Sequence, residues 1–374
     1  MNFEDKKMKA WILNDIDDFR LGELDVPPIQ DNQVLVNVKA CGICGSDIPR
    51  VYETGAHVKP LVIGHEFAGQ VVETGANVSD NWKNKAVGIF PLIPCGKCMP
   101  CLNKQYEMCR NYSYLGSRCN GGFAEYVAVP EWNLIELPEG VSYEEAAMLE
   151  PMAVAVHAMR KALKNSGLCV KKEQDECFES KEEVKIAVCG LGTIGLLLTM
   201  FLKQAGYKNI YVIGNKQFQY EKVCELGIDS SNYCDSKSTN ASAWIASKTE
   251  GSGVNIFFEC VGKNETINEA INCTCPAGAV MLVGNPYSDM NLDKNTYWKI
   301  LRNQLAVLGT WNSSFTHETS DDWHYVVKCL EAKQINPSNL ISHRYDIYDI
   351  EKGFHIMRDK SGDYVKVMWD NIEK

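Results

Sequence analysis

Short runs rich in apolar, β-branched residues mark the first ninety positions of the chain as β-rich. Two of these runs cover residues 34–38 and 69–73, and turn formers such as Pro27-Pro28 and Gly75-Ala76-Asn77 bound them. Short β-branched runs bounded by turn formers predict strands. The stretch has no long helical period, so we expect a partly open β-barrel that carries its chemistry on loops.

The pattern becomes helical near residue 142, where Ser142 and Glu145 have the spacing of a capping box. We predict helix over 142–163 and 320–332, a solvated charged loop over 171–183 and a last strand over 364–369. Between residues 184 and 283, apolar runs typical of buried strands alternate with helical segments. These runs cover 184–189, 210–213, 256–261 and 280–283. Such alternation predicts a doubly wound parallel sheet, and therefore an α/β protein.

The 374 residues are enough for two domains. We predict a barrel-type catalytic domain over 1–153, with a cysteine-rich lobe at 95–109. A cofactor-binding domain follows over 154–304, and residues 305–374 return to complete the first domain. Glu150 lies where the pattern changes, at the expected boundary between the domains, where a cleft is favoured.

Charge and composition exclude several classes of protein. The formal net charge is -10 and no basic run occurs, which disfavours tight binding to nucleic acid or to an anionic membrane. The charged segment at 1–9 does not resemble a signal peptide, and no apolar run is long enough to cross a bilayer. The 16 cysteines therefore predict thiols and metal ligands in a cytoplasmic protein rather than disulfides.

A glycine-rich turn marks the predicted cofactor site. Gly190-Leu-Gly192-Thr-Ile-Gly195 directly follows a predicted strand and opens an apolar helix. In that context the pattern predicts dinucleotide binding, because the glycines let the backbone approach a pyrophosphate at a helix N-terminus. The alternative is a glycine-rich turn in another kind of α/β unit. The predicted cofactor contacts are Gly190, Gly192, Thr193, Ile194, Gly195, Asn215, Lys216, Val261 and Val283.

The end of the second strand leaves the choice between NAD and NADP open. An NAD site usually has Asp or Glu there to hold the ribose hydroxyls, whereas this chain has Gly214-Asn215-Lys216. No carboxylate opposes a 2′-phosphate, and the Lys216 ammonium is suited to attract one. The alternative is that Lys216 is a solvated loop lysine.

Four closely spaced cysteines form the clearest metal pattern. Cys95, Cys98, Cys101 and Cys109 have the spacing C-x2-C-x2-C-x7-C in a loop with glycine and proline. Four thiolates predict a closed, structural zinc site that supports a lobe with little core of its own. An iron–sulfur cluster is the alternative, since it also uses tightly spaced cysteines.

A second metal centre is predicted around Cys44 and His65. Sulfur and imidazole nitrogen are common zinc ligands, and a zinc ion with three protein ligands keeps a position open for chemistry. Glu150 is the candidate for the third ligand. Asp47 is suited to accept the other ring N–H of His65, and Ser46 to pass a proton towards solvent. The alternative is a buried cysteine and a core histidine that never meet.

In this order the motifs resemble those of the zinc-dependent medium-chain dehydrogenase/reductase superfamily. Glu150 in place of the cysteine found in some members resembles the polyol dehydrogenase branch, and within it the dehydrogenases of galactitol 1-phosphate. The stretches that carry the closer resemblance are Cys44-Gly-Ser-Asp-Ile-Pro-Arg50, Gly55-Ala-His57, Gly116-Ser-Arg118 and Gly121-Gly-Phe-Ala-Glu-Tyr126.

The resemblance implies a GroES-like barrel domain, a Rossmann domain and a homodimer joined through the edges of the cofactor sheets. It implies catalytic zinc on Cys44, His65 and Glu150, and structural zinc on the four lobe cysteines, so two zinc ions per chain. Two departures stand out. Gly214 replaces the acidic residue of NAD-using members, and Pro49 stands where alcohol dehydrogenases have a relay histidine.

The expected reaction is hydride transfer between a nicotinamide cofactor and a polyol phosphate, with galactitol 1-phosphate oxidised to tagatose 6-phosphate. Glu66, next to a ligand, is expected either to exchange at the metal or to support it from outside. Arg50 and Arg118 are candidates for the substrate phosphate because a guanidinium pairs with phosphate in a bidentate manner. His57 and Lys59 are weaker candidates.

Three other functions stay open at this point. One is a dehydrogenase of an unphosphorylated polyol of the sorbitol or L-iditol type, or of threonine. Another is a non-catalytic, NADPH-binding protein of crystallin type, which would not need ligands for a catalytic metal. A zinc-ribbon nucleic-acid binder is disfavoured by the acidic charge.

Overall fold

The structure is a computed structural model that describes residues 6–166 and 181–371. Its contacts divide the chain into two compact units, Met1–Ala153 with Ser313–Lys374 and Val154–Asn312. The surface loop predicted for 171–183 lies outside the described residues as far as residue 180. Within the described ranges, no helix combines the length and the apolar character needed to span a membrane.

The strands are given in chain order with their bounds. They are β1 Lys7–Asp15, β2 Asp18–Asp25, β3 Gln33–Ile43, β4 Leu61–Val62, β5 Glu66–Thr74, β6 Ala86–Ile89, β7 Leu92–Ile93, β8 Ser113–Tyr114, β9 Tyr126–Pro130, β10 Leu134–Glu136, β11 Lys185–Cys189, β12 Asn209–Gly214, β13 Tyr233–Asp235, β14 Val254–Glu259, β15 Thr274–Leu282, β16 Ala306–Gly309, β17 Ile341–Tyr345 and β18 Lys366–Asp370.

The α-helices follow the same convention. They are α1 Asp47–Pro49, α2 Met99–Leu102, α3 Tyr143–Ala147, α4 Leu149–Asn165, α5 Thr193–Gln204, α6 Gln217–Glu225, α7 Ala241–Lys248, α8 Asn264–Cys273, α9 Lys294–Arg302, α10 Asp322–Glu331 and α11 Ile350–Asp359. Single turns of 3₁₀ or π-helix cover Arg50–Thr54, Asp80–Trp82, Tyr106–Met108, Glu131–Asn133, Ser230–Asn232 and Pro337–Leu340.

The first unit is built around β3. In its largest sheet the order is β10-β6-β5-β3-β18-β17, and β9 also pairs with β3. A second sheet has the order β2-β1-β4, and β7 pairs with β8. The alternating apolar residues of these strands face one buried core, in which Val36, Phe67 and Trp369 are almost fully enclosed. The strands predicted at 34–38 and 69–73 lie inside β3 and β5.

The second unit contains a parallel sheet with the order β13-β12-β11-β14-β15-β16. Counted from its own first strand, this order is 3-2-1-4-5-6, the arrangement of the dinucleotide-binding doubly wound fold. The strand pattern places apolar side chains on both faces, as helices cover both faces of such sheets. The prediction of a doubly wound parallel sheet is confirmed.

Local signals in the sequence set several helix ends. Ser142 and Glu145 form the reciprocal capping box. The helix predicted over 142–163 is two helices, α3 and α4, which meet at Met148. The helix predicted over 320–332 is α10, which Asp321 caps through the backbone N–H of His324.

Candidate metal centres and cofactor site

Strand register brings Cys44 and His65 together. The antiparallel strands β3 and β5 pair Gly42 with Glu66. Cys44 follows the end of β3 and His65 precedes the start of β5, so both side chains leave the sheet at the same end. Their ligand atoms and a carboxylate oxygen of Glu66 lie within 4.8 Å of one another. Three donors of zinc-binding type therefore converge here.

Glu150 is not one of the three atoms in that close set. It lies in the first turn of α4, is 9% exposed and accepts a hydrogen bond from the Tyr114 hydroxyl at 3.2 Å. Burial raises the pKa of Glu150 to about 7, and the charges of His65, Glu66 and Lys366 act on it as well. Glu150 thus faces the same cluster, and its role as a ligand stays a prediction.

Asp47 links the two donors to each other. This fully buried carboxylate accepts a hydrogen bond from the Cys44 backbone N–H at 3.0 Å and one from Arg50 at 2.6 Å. Its Oδ1 atom is 3.5 Å from Nδ1 of His65. Burial raises the Asp47 pKa, but His65 and Arg50 outweigh that effect, and the pKa is lowered overall. This arrangement leaves Nε2 of His65 for a metal.

The remaining predicted residues occupy varied places around this cluster. The Ser46 hydroxyl is 3.3 Å from Cys44 Sγ. The second amino group of Arg50 donates a hydrogen bond to the Ser117 hydroxyl at 3.4 Å. Arg118 is exposed and its guanidinium stacks over Tyr112, 4.6 Å from the ring centre. His57 is exposed, and Lys59 forms an ion pair with Asp15.

Lys366 is a component of the site that the sequence analysis missed. It begins β18, which pairs with β3 so that Val367 lies opposite Ile43. The Lys366 ammonium is 2% exposed, forms an ion pair with Glu66 and donates a hydrogen bond to the Ile43 carbonyl at 3.1 Å. Burial lowers the Lys366 pKa, yet Glu66, Cys44 and Glu150 together outweigh this and the pKa is raised. A lysine inside an otherwise apolar strand was the available signal.

The four lobe cysteines form a second cluster. Their Sγ atoms are 3.5 Å apart for Cys98 and Cys101, 3.8 Å for Cys98 and Cys109, and 4.0 Å for Cys95 and Cys101. Sulfurs bound at about 2.3 Å to one tetrahedral zinc ion are about 3.8 Å apart. The spacing fits a single ion, whereas several iron atoms would hold the sulfurs further apart.

The thiols of this cluster have opposed acidities. Hydrogen bonds from the backbone N–H groups of Arg110 and Cys101 lower the pKa of Cys98 to about 6. Burial raises the pKa of Cys101 to about 12. Neighbouring thiolates repel one another, so a cation is needed before all four ionise.

The glycine-rich turn has the geometry of a phosphate-binding loop. Gly190 has a φ of +94°, and a side chain at Gly195 would lie 1.9 Å from the Gly190 carbonyl oxygen. A side chain at Gly192 would meet nothing within 4 Å, so the backbone there is open to a ligand at the start of α5. Thr193 and Ile194 form the first turn of that helix.

At the end of β12, Gln219 and Tyr233 fill the space that an acidic side chain occupies in NAD-using members. A Cβ atom at Gly214 would lie 2.8 Å from Gln219 Oε1 and 2.9 Å from the Tyr233 hydroxyl. Gln219 accepts a hydrogen bond from the Asn215 N–H at 2.9 Å, and Tyr233 donates one to the Lys216 carbonyl at 3.1 Å. These contacts fix the turn that carries Asn215 and Lys216 without using a carboxylate.

Val261 and Val283 lie just beyond the ends of the neighbouring strands β14 and β15. Glu259, fully buried, accepts hydrogen bonds from the Val261 and Gly262 N–H groups at 2.9 Å each. Its carbonyl accepts the Val283 N–H at 2.8 Å. These bonds hold the carboxyl edge of the sheet, where parallel α/β sheets bind ligands.

The fold and these sites define a zinc-binding dehydrogenase with a dinucleotide-binding unit. Residues 30–139 match the family described as "Alcohol dehydrogenase GroES-like domain", and residues 193–332 match the one described as "Zinc-binding dehydrogenase". The chain is 30% identical over 335 residues to galactitol 1-phosphate 5-dehydrogenase of Escherichia coli K12, covering 89% of this chain and 92% of that protein. The chain belongs to the zinc-dependent medium-chain dehydrogenase/reductase family.

Other relatives differ in their substrates. Sorbitol dehydrogenase of Halalkalibacterium halodurans is 30% identical, with 95% of this chain and 96% of that protein covered. The crystal structure of galactitol-1-phosphate dehydrogenase from Escherichia coli has a TM-score of 0.86 at 28% identity, covering 97% and 100% of the two chains. An NADP-bound protein from Sinorhizobium meliloti 1021 has a TM-score of 0.85 at 25% identity, covering 98% and 100%.

Family membership confirms three predictions from the sequence: the polyol-dehydrogenase resemblance, the pairing of a GroES-like with a Rossmann domain, and an oxidoreductase that acts on alcohols with zinc and a nicotinamide cofactor. The dehydrogenases among the relatives favour an enzyme over a non-catalytic binding protein or a nucleic-acid binder. The particular substrate differs among relatives at equal identity.

Proposed function

We propose that this chain oxidises a secondary alcohol of a polyol phosphate, and that the substrate is galactitol 1-phosphate, converted to tagatose 6-phosphate. The observation that carries the proposal is the convergence of Cys44, His65 and two buried carboxylates at the ends of β3, β5 and α4. Relatives that bear this substrate in their names support the choice of polyol.

The buried charges favour Cys44, His65 and Glu150 as the ligands of the catalytic zinc. Two carboxylates of the cluster, Asp47 and Glu66, already have cationic partners in Arg50 and Lys366 respectively. The Cys44 thiolate and the Glu150 carboxylate remain, which are two negative charges against one divalent cation. Buried charges are stable only when they are paired.

The chain's own residues hold the metal and move the substrate proton. A zinc ion held by these residues would supply a Lewis acid that lowers the pKa of the substrate hydroxyl, and a nicotinamide cofactor would supply the acceptor for the hydride of the alcohol carbon. The Ser46 hydroxyl, beside Cys44 Sγ, accepts the hydroxyl proton and passes it to solvent. Asp47 orients His65, and Tyr114 orients Glu150.

A panel of substrates and cofactors tests the function. Steady-state kcat/KM is measured for galactitol 1-phosphate, galactitol, sorbitol and threonine, each with NAD and with NADP. We expect the phosphorylated hexitol to have the highest kcat/KM. Equal or higher values for an unphosphorylated substrate would reject the phosphate part of the proposal and leave the dehydrogenase part intact.

Arg118 is the candidate for the phosphate contact. Its guanidinium is exposed over Tyr112, whose ring is 6.1 Å from that of Tyr114, and Tyr114 in turn lies edge-on to His65 at 5.8 Å. Replacing Arg118 with leucine is expected to raise KM for galactitol 1-phosphate by about 10- to 100-fold, because hydrogen bonds to charged groups contribute about 1.5–3 kcal/mol. Initial-rate kinetics measure the change.

Arg358 provides a matched control for that substitution. It also stacks on a tyrosine, Tyr52, at 4.6 Å, and it pairs with Asp359 on the surface. Arg358→Leu should leave KM unchanged, and Arg118→Leu should leave KM for unphosphorylated galactitol unchanged. A similar rise in KM for both substrates would show that Arg118 does not read the phosphate.

An unphosphorylated polyol is the second candidate substrate. One specific observation favours it: Arg50 and Lys59, two of the cations suited to a phosphate, are engaged with Asp47 and Asp15. The relative named for sorbitol, at the same 30% identity, points the same way. The substrate panel separates the two candidates directly.

NADP is the proposed cofactor of choice. Gly214 has no side chain that could hold the ribose hydroxyls. Gln219 and Tyr233 fill the space where such a side chain would lie. The next two residues, Asn215 and Lys216, offer an amide and an ammonium to a 2′-phosphate. The panel is expected to give a higher kcat/KM with NADP than with NAD, and the reverse order would reject this choice.

The proposed assembly is a homodimer joined through β16. This strand ends the parallel sheet of the second unit, and the described residues pair it on one side only. Val307 on β16, Trp298 and Leu301 on α9 and nearby Trp311 are all at least 40% exposed. Exposed apolar side chains beside an open strand edge favour pairing with a second copy.

Replacing Val307 with glutamate is expected to convert the dimer into a monomer. Its side chain is exposed, so the substitution spares the fold, whereas two carboxylates would face each other across the joined edges. Sedimentation equilibrium measures the mass. Ile16→Glu, at an exposed apolar position of the other unit, is the control that should remain dimeric. A V307E protein that stays dimeric would rule out this interface.

A cytoplasmic location is also proposed. The described cysteines are free thiols, as expected in a reducing compartment. Fractionation of expressing cells is the corresponding measurement, and recovery in a secreted fraction would reject the proposal.

A further inference from the structure

The buried ion pair between Glu66 and Lys366 has no task in the reaction as proposed. Both side chains are 2% exposed, and 300 residues of sequence separate them. Placing a carboxylate and an ammonium in the interior is costly unless their geometry is fixed and their other polar atoms are satisfied. Here the Ile43 carbonyl fixes the ammonium as well, at 3.1 Å.

The Glu66 carboxylate lies close both to the Lys366 ammonium and to the ligand atoms of Cys44 and His65. One of its oxygens is within 4.8 Å of the ligand atoms of Cys44 and His65, close enough for a small movement to bring it onto a shared metal ion. Its Oε2 atom forms an ion pair with the Lys366 ammonium. The Lys366 ammonium also donates a hydrogen bond to the Ile43 carbonyl at 3.1 Å, and this second bond opposes a movement of the ammonium together with Glu66.

We propose that Lys366 is a positioning residue that restrains Glu66 from becoming a permanent ligand of the catalytic metal. This inference rests on the proposed metal site. With Glu66 restrained, Cys44, His65 and Glu150 leave one coordination position for substrate. Without the restraint, the Glu66 carboxylate fills that position, so the metal is held more tightly and the substrate is excluded.

Gly42 provides the space in which the pair forms. A Cβ atom at this position would lie 2.4 Å from Glu66 Oε2 and 3.3 Å from Lys366 Cδ. The φ angle of Gly42 lies outside the left-handed region, so an alanine there meets no backbone penalty. Gly42→Ala therefore displaces the carboxylate from Lys366 without removing either charge. It is a second, independent way to release Glu66.

Lys366→Met tests the proposal through metal release as well as turnover. Zinc transfer to a coloured chelator is followed over time, and the zinc of the four-cysteine lobe serves as an internal reference. We expect the catalytic zinc to leave about 10- to 100-fold more slowly than in the unaltered enzyme, with kcat lower by a similar factor. Lys366→Arg, which keeps the charge, should restore much of both properties.

If Lys366 acts through Glu66, replacing Lys366 should no longer change the rate of zinc release once Glu66 has been replaced. Glu66→Gln combined with Lys366→Met is expected to release zinc at the rate of Glu66→Gln alone. Gly42→Ala should slow zinc release in the same direction as Lys366→Met. If Lys366→Met does not fold, Gly42→Ala and Lys366→Arg decide the matter by themselves.

Two results separate this inference from the proposed function. Unchanged or faster zinc release in Lys366→Met and in Gly42→Ala, from an enzyme that holds two zinc ions, would overturn the restraint and leave the dehydrogenase proposal standing. An unaltered protein that holds only the lobe zinc, and is inactive on the whole substrate panel, would overturn the proposed function itself.

Discussion

Replacing Cys44 with serine is expected to lower kcat/KM by about a thousandfold or more, because the Lewis acid contributes several kcal/mol and each 1.4 kcal/mol is a factor of ten. Cys44 stands at the end of β3, where its sulfur, the His65 ring and the Glu66 carboxylate converge. A serine hydroxyl is a poorer zinc ligand than a thiolate, so the catalytic ion should be lost. Zinc content should fall from two ions per chain to one.

Cys41→Ala is the matched control for Cys44→Ser. Cys41 lies on the same strand three residues earlier, is fully buried and is not part of the metal cluster. Its substitution should keep both zinc ions and nearly full activity, at a small cost in stability from the cavity. Full activity of Cys44→Ser would contradict the metal-assisted mechanism, and so would equal loss of zinc in the two variants.

The meeting of Cys44 and His65 was expected from the motifs of the whole chain, not from the two residues taken alone. The two residues adjoin β-branched runs, and the structure pairs the strands formed by those runs side by side. The resemblance to known dehydrogenases supplied the rest of the expected ligand set. Register then explains why both side chains leave the same end of the sheet.

The partner of Glu66 was beyond such reasoning. Lys366 is brought to the site by the parallel and antiparallel pairings of a strand near the end of the chain, and no local pattern specifies that pairing. The sequence indicates only that a lysine interrupts an apolar strand. Its burial and its partner depend on long-range packing, which residue types alone do not determine.

The candidate phosphate residues illustrate the same limit. Arg50 and Arg118 were equivalent in the sequence, since both are guanidinium groups near predicted ligands. In the structure Arg50 is committed to the buried Asp47, three residues away, whereas Arg118 stacks on Tyr112 at the surface. The partner of a long polar side chain depends on which charges are buried nearby, so the sequence identified the candidates but could not rank them.

The glycine-rich turn could be predicted almost completely. Two of the glycines meet separate steric demands, the positive φ of Gly190 and the close carbonyl at Gly195, whereas Gly192 leaves the backbone open to a ligand. From the sequence, Gly214 was notable because it stands where NAD-using members have an acidic residue. Only the folded structure shows that Gln219 and Tyr233 fill the space beside Gly214.

Replacing Cys101 with serine is expected to lower the melting temperature by about 5 °C, since a structural metal contributes folding free energy and about 3–5 kcal/mol corresponds to roughly 4–6 °C in a chain of this size. The lobe has little apolar core: Met99, Leu102 and Met108 are 46% to 64% exposed. The Cys101 sulfur, 3.5 Å from that of Cys98, is one of four that can share an ion. Calorimetry measures the shift.

The same variant should lose one zinc ion per chain and become sensitive to protease within 95–109, while the catalytic zinc and most of the activity at low temperature remain. Cys119→Ser is the control, because Cys119 is a half-buried thiol near Ser113 and lies outside the four-cysteine cluster. It should keep both ions and the original melting temperature. A Cys101→Ser protein that retains two zinc ions and its stability would show that the four sulfurs do not hold a structural metal, because a tetrahedral thiolate site cannot lose one ligand without cost.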